Sequence, residues 1–176
     1  IALNFSGLIF MVPLSLAMAT TIKVGFAIGH DNIQQAKDYT IHAITLGLLL
    51  AVFTAAITLL FRVPIVSIYT NEAPVIELAA NIMLLATLYQ FSDTVQVVSA
   101  GALRGYKDTK SILYITFVSY WLVGLTVGLI LGITDWVIPK MGPYGFWIGF
   151  ITGLTTAAIL LAWRLKVIQR RLATAS

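Results

Sequence analysis

Cysteine is absent from this chain of 176 residues, and charged side chains are scarce. Without cysteine the chain can form no disulfide and no thiolate metal site. Only 10% of its residues are Asp, Glu, Lys or Arg, whereas soluble domains carry about 25%. With 59% hydrophobic residues and a mean hydropathy of +0.94, the composition predicts an integral membrane protein rather than a soluble globule.

Five apolar stretches are each long enough to cross a bilayer as a helix. A hydrocarbon core of about 30 Å needs about 20 helical residues, and the alternating pattern of a membrane β-barrel is absent. Pro64 is expected to end the second span, and Pro74 to lie in the first turn of the third. We predict an all-α membrane protein whose spans are residues 1–28, 41–61, 75–103, 111–133 and 144–163, followed by a tail over 164–176.

Lysine and arginine are distributed unevenly between the two sides of these spans. The connections after the first and third spans and the tail hold nine of them, whereas the other connections hold only Arg62 and Lys140. The positive-inside rule assigns the richer side to the cytoplasm. The C-terminus is therefore predicted to be cytoplasmic. Because the basic residues follow this topology, the net charge of +4 does not indicate nucleic-acid binding. With the C-terminus inside and five spans, Ile1 is predicted to lie at the outer face. A chain that enters the membrane from outside and has an odd number of spans is expected to be part of a longer protein, with further helices upstream.

One carboxylate, Asp93, lies inside the third span, eleven residues before Arg104. At ~1.5 Å per residue this separation is about 16 Å, which places Asp93 near the middle of the bilayer. An ionised Asp at this depth costs about 2.5–3.5 kcal/mol, and no span offers a basic partner there. Binding a proton or a cation removes this cost, and an ion-coupled transporter needs such a group. The alternative is an Asp that only fixes helix packing.

Other polar side chains share the helix face of Asp93. Tyr89, Gln90 and Gln96 lie three or four positions from it along the helix. Tyr89 can hydrogen-bond the carboxylate or offer its ring to a cation. We predict that Asp93 and Tyr89 form the site of a coupling cation or proton. Gln90, Gln96 and Asn4 are candidates for lining a substrate cavity, although hydrogen bonds to neighbouring helices are the alternative for Asn4.

Glycines in the last two spans repeat every four residues. Such strips of small side chains let helix backbones approach closely, so we expect these two spans to pack against each other. The two triplets are Gly124, Gly128 and Gly132 in the fourth span, and Gly145, Gly149 and Gly153 in the fifth.

The residues do not indicate an enzyme. An aspartyl protease needs two carboxylates at one site, but only Asp93 lies at depth. His30 and His42 flank the connection after the first span, far from any nucleophile at depth. No GxxxxGK[ST] loop is present to bind a nucleotide. Energy for transport would therefore come from an ion gradient, and no cofactor is expected.

Two segments carry a family resemblance. YQFSDTVQVVSAGALRGYKDT resembles the tenth helix and following loop of NorM-type multidrug and toxic compound extrusion (MATE) transporters. VGFAIGHDNIQQA is similar to the end of their eighth helix and the loop after it. The resemblance implies a twelve-helix transporter of two six-helix bundles, of which this chain holds helices eight to twelve. It also implies that Asp93 and Tyr89 take part in cation binding, with an acidic partner on the seventh helix, upstream of this chain.

The resemblance further implies export of cationic amphiphilic drugs across the bacterial inner membrane in exchange for Na⁺ or H⁺. Two other functions stay open. A lipid-linked saccharide flippase of the same superfamily would favour basic residues in its cavity, and none lies at mid-depth. A structural or channel subunit would show no uphill transport driven by an ion gradient. The sequence leaves the coupling ion and the drug undetermined.

Overall fold

The structure is a computed structural model that describes residues 2–133 and 142–175. A π-helical segment, Val118–Leu125, joins two short α-helices, so that these three pieces form one span, Thr109–Ile133. Ile1, Lys140 and Ser176 lie outside the described residues. The helices are α1 (Ala2–Gly29), α2 (Ile33–Ser67), α3 (Ala73–Gly105), α4 (Thr109–Phe117), α5 (Thr126–Ile133) and α6 (Pro143–Ala175).

Five helical spans are long and apolar enough to cross a membrane, which confirms the predicted all-α membrane fold. The helices extend beyond the apolar stretches read from the sequence. Asn32 caps α2, since its Oδ1 accepts a hydrogen bond of 2.9 Å from the backbone N–H of Gln35. Helix α6 continues without interruption through most of the basic segment that follows the last apolar stretch.

The prolines near the turn between α2 and α3 behave differently from each other. Pro74 lies in the first turn of α3, as predicted, where its missing N–H has no helical partner to lose. The expectation that Pro64 ends the second span is wrong, because α2 continues through it to Ser67. A proline removes one hydrogen bond and bends a helix, but it does not have to end it.

Helix α3 is the centre of the bundle and packs against α1, α2 and α6. Its approach to α1 is close at its C-terminal end. A Cβ added to Gly101 would lie 2.5 Å from the carbonyl oxygen of Ala17, so the two backbones touch. Because α3 is surrounded on three sides, the polar side chains in its middle are withdrawn from both lipid and water.

The glycine triplets of the last two spans face each other, as predicted. A Cβ added to Gly149 would lie 2.4 Å from the Cα of Gly128, and one added to Gly145 would lie 2.5 Å from the backbone nitrogen of Gly132. These contacts are between backbones, which only glycine permits at such distances. Helix α6 is thereby held directly against the span that contains the π-helical segment.

Candidate functional site

Asp93 lies in a narrow cleft between α1, α2 and α3. Only 4% of its surface is exposed, although the chain crosses an apolar environment. Apolar side chains of α1 and α2 form most of the cleft, among them Phe10, Pro13 and Leu50. The carboxylate is therefore enclosed by protein rather than by lipid, in agreement with the rule that ionisable groups in spans face the bundle interior.

Tyr89 lies one helical turn before Asp93 on the same face of α3, and both residues line the cleft. The Tyr89 ring stacks on Phe150 of α6, with 5.4 Å between ring centroids, and meets Trp147 edge-on at 6.2 Å. One face of the ring is thus covered by an aromatic neighbour. This stack leaves the Tyr89 ring less free to bind a cation.

Gln90 is held between α3 and α2 by two hydrogen bonds. Its Oε1 accepts from the Thr54 hydroxyl at 2.9 Å, and its Nε2 donates to the Thr58 hydroxyl at 3.0 Å. Gln90 also lines the cleft of Asp93. Because both ends of its amide are engaged, it fixes α2 against α3 beside the carboxylate.

Tyr120 is a neighbour of the site that the sequence analysis missed. It lies in the π-helical segment Val118–Leu125, close enough to Asp93 and Tyr89 to interact electrostatically with both. A π-turn shifts the faces of a helix relative to the α-helical period, and such turns are frequent at functional sites. Helical periodicity alone therefore gave no indication of where Tyr120 would lie.

The structure brings together four of the five candidate residues. Tyr89, Gln90, Asp93 and Gln96 are all buried along the middle of α3. Asn4 is exposed on α1 and does not line the cleft. Tyr89, Gln90 and Asp93 line the cleft, whereas Gln96 is buried further along α3 and Asn4 lies apart on α1.

Asp93 is the one carboxylate that lines this cleft. Within residues 2–133 and 142–175, no group of three or more His, Asp or Glu side chains could hold a metal ion. A cation bound at Asp93 would have to draw its other ligands from hydroxyl, amide and backbone oxygens. Hard cations accept such oxygen ligands, and Ile9, whose carbonyl cannot bond to Pro13, lines the same cleft.

A polar clasp outside the spans connects the loop after α3 to α6. Asp108 accepts a hydrogen bond from the Nε of Arg164 at 2.6 Å and one from the hydroxyl of Ser111 at 2.8 Å. Partial burial acts to raise the pKa of Asp108, but these partners outweigh it and lower the pKa below its ordinary value. The clasp fixes the loop that follows the site helix.

Comparison with known proteins identifies the family of this bundle. The family profile MatE matches residues 1–130. The multidrug resistance protein MdtK of Yersinia pseudotuberculosis is 53% identical over 171 residues, and that of Yersinia enterocolitica is 52% identical. Each alignment covers 97% of this chain and 37% of the relative. The chain thus spans less than two fifths of the length of these relatives.

Solved structures share the fold. The eukaryotic MATE transporter AtDTX14 superposes with a TM-score of 0.87 at 22% identity, over 97% of this chain and 38% of that one. An inward-facing multidrug resistance MATE family transporter of the MOP superfamily gives 0.86 at 19% identity, over 99% and 40%. The profile match and the sequence identity confirm the resemblance carried by the third span. This chain therefore belongs to the MatE family of multidrug and toxic compound extrusion (MATE) transporters.

Proposed function

We propose that this chain forms most of one bundle of an ion-coupled exporter of cationic amphiphilic compounds, in which Asp93 and Tyr89 hold the coupling cation or proton. Relatives that bear the name multidrug resistance protein support export as the activity. The observation that carries the ion site is the buried carboxylate of Asp93, midway along an apolar span. Within the described ranges, the one salt bridge is that between Arg164 and Asp108, so Asp93 has no cationic partner there.

Because Asp93 has no cationic partner in the described residues, exchange of a proton or cation at this carboxylate is favoured over a purely structural role. A buried carboxylate without a counter-charge is costly at this depth, and a bound proton or cation neutralises it. Releasing that ion restores the charge and the cost. The packing of α3 against α1 and α2 would then differ between the loaded and empty states, which is the kind of local charge change that biases a two-state element.

The surroundings of the carboxylate also suit a reversible ion site. The Tyr89 hydroxyl, one helical turn from Asp93, is available to donate a hydrogen bond to the carboxylate once the ion has left. Gln90 is committed to α2, so the helix face beside Asp93 keeps its geometry. An acidic partner on a helix that is not part of this chain would complete the site.

A flippase for lipid-linked saccharides is disfavoured by the same cleft. A phosphate-bearing substrate would be met by lysine or arginine, and neither lines the cleft of Asp93. Cationic substrates agree better with this cleft, because the carboxylate of Asp93 lines it and can attract a positive charge. We place the protein in the bacterial inner membrane with its C-terminus in the cytoplasm, since nine of its eleven basic residues fall on that side.

The test is Asp93→Asn in the full-length transporter, reconstituted into proteoliposomes with an imposed Na⁺ or H⁺ gradient. The substitution keeps the size of the side chain and removes its charge. We expect ion-driven efflux of the fluorescent cation ethidium to be lost, with folding unchanged or improved because a buried charge is gone. Efflux is normalised to folded protein. Asp31→Asn, at an exposed turn position with φ of 54° that Asn adopts readily, is the matched control.

The two roles of Asp93 predict opposite results. If Asp93 only fixes packing, Asp93→Asn lowers the yield of folded protein but leaves efflux per folded molecule intact. Ion-dependent efflux at the normal rate in Asp93→Asn would contradict the proposed site. Loss of efflux in Asp31→Asn as well would show that the assay reports general damage rather than ion coupling.

A further inference from the structure

A second cleft, distant from Asp93 along the bundle, lies between the N-terminal part of α2 and the C-terminal part of α6. Its cavity volume is about 450 Å³, which is enough for a small polar ligand. Three basic side chains line it, namely Lys37 of α2 and Lys166 and Arg170 of α6. No acidic residue is among its lining residues, so one cavity collects three positive charges.

These cations have no ionic partner in the part of the chain that is described. None of the three forms an ion pair with a carboxylate within residues 2–133 and 142–175. Asp38, the acid next to Lys37 in sequence, accepts a hydrogen bond of 3.0 Å from Gln34. Three like charges around one cavity repel each other, and an anion bound among them would remove that repulsion.

The other end of the same cleft is apolar. Ile41, Ile44 and Ala162 line it, at least one helical turn further into their spans than Lys37 and Lys166. Ile41 is 51% exposed, so its side chain is available to an apolar partner. The occupant that fits must therefore carry an anionic head and an apolar tail, and it must lie with the head at the membrane surface.

We propose that this cleft binds an anionic phospholipid, with the phosphate held among Lys37, Lys166 and Arg170 and an acyl chain along Ile41 and Ile44. Basic pockets between membrane helices at the cytoplasmic surface suit such headgroups. A soluble anion would use the charged end but has nothing to place against the isoleucines. The proposal does not depend on ion coupling at Asp93.

The experiment is a titration of the purified full-length transporter with phosphatidylglycerol or phosphatidylcholine, in which bound lipid is counted by native mass spectrometry. We expect phosphatidylglycerol to bind more tightly than phosphatidylcholine. The variant with Lys37→Gln, Lys166→Gln and Arg170→Gln should lose this preference, with phosphatidylglycerol affinity lower on the order of a hundredfold, since each surface cation contributes roughly fivefold. The matched control replaces three exposed cations outside the cleft, Arg104→Gln, Lys110→Gln and Arg171→Gln, and should keep the preference.

A third variant, Ile41→Asn, separates a lipid from a soluble anion. This substitution leaves all three charges in place. It should weaken the binding of phosphatidylglycerol and leave the binding of inorganic phosphate unchanged. Melting temperatures of every variant establish that the protein compared is folded. Equal losses in the two triple variants would overturn the proposal, because binding would then follow net charge alone. Binding of inorganic phosphate as tight as that of phosphatidylglycerol, with no effect of Ile41→Asn, would also overturn it.

Discussion

Replacing a single hydrogen at the interface of the last two spans tests the packing of the bundle directly. Gly149 and Gly128 lie opposite each other, but their side-chain positions differ. A Cβ on Gly149 would lie 2.4 Å from the Cα and the nitrogen of Gly128 and 2.6 Å from the oxygen of Gly124. A Cβ on Gly128 would lie 3.7 Å from its nearest atoms, which belong to Phe146. Alanine therefore clashes at one position and fits at the other.

The geometry sets the size of the two effects. Alanine in a helix interior is favoured over glycine by about 0.5–1 kcal/mol. Inserting an atom into a well-packed interface costs typically about 1–3 kcal/mol. At Gly149 the obstacles are backbone atoms that cannot rotate away, so the upper end applies and the net destabilisation should be about 2 kcal/mol. Gly128→Ala should be neutral or stabilising by up to about 1 kcal/mol.

The measurement is thermal unfolding of the full-length transporter in one detergent, with both variants scanned at the same rate because membrane proteins often unfold irreversibly. Gly149→Ala should melt below the parent protein, and Gly128→Ala at or above it. Alanine isolates the effect of one Cβ, whereas leucine at either position adds further atoms that must also be placed. If Gly149→Ala melts as high as Gly128→Ala, the two spans do not touch along this strip.

Three further predictions follow from the site, the topology and the clasp. Tyr89→Phe should reduce ion-driven efflux without lowering the melting temperature, because it removes the hydroxyl but keeps the aromatic stack. Full activity would instead indicate that the Tyr89 ring, rather than its hydroxyl, contacts the cation. Single cysteines at Ser67 and Thr174 of the full-length protein should respond oppositely to an impermeant thiol reagent on intact cells, with labelling at Ser67 only, and the reverse would invert the topology. The lowered pKa of Asp108 means that its bond with Arg164 stabilises the fold fully above the ordinary pKa of 3.8 and loses this effect as the pH falls below it. Asp108→Asn should therefore melt lower than the parent near neutral pH, and the gap should close in acid.

Features that depend on local composition were predictable from the sequence. The five spans follow from the lengths of apolar runs, since lipid can satisfy no free backbone group and a run of about 20 such residues must be helical. Asp93 stood out because a charge is rare at that depth. The glycine triplets predicted close packing of the last two spans, since the four-residue spacing places them on one face.

Features that depend on which helices become neighbours were not predictable in this way. Nothing in the residues around Tyr120 indicated a π-helical segment there, because this span takes its register from packing on α6. The covering of the Tyr89 ring by Phe150 joins residues that are far apart in the chain. The exposed position of Asn4, away from the cleft, likewise depends on how α1 is rotated.

Hydropathy and the cost of a buried charge act on each segment separately, so the amino-acid sequence was enough to predict a membrane protein of five helical spans with a carboxylate at depth. The residues that surround this carboxylate, and the meeting of Lys37 with Lys166 and Arg170 in one cleft, could be seen only in the folded bundle. Contacts of this kind arise when α2 and α6 pack around α3, and helix packing depends on the shapes of all the facing surfaces at once.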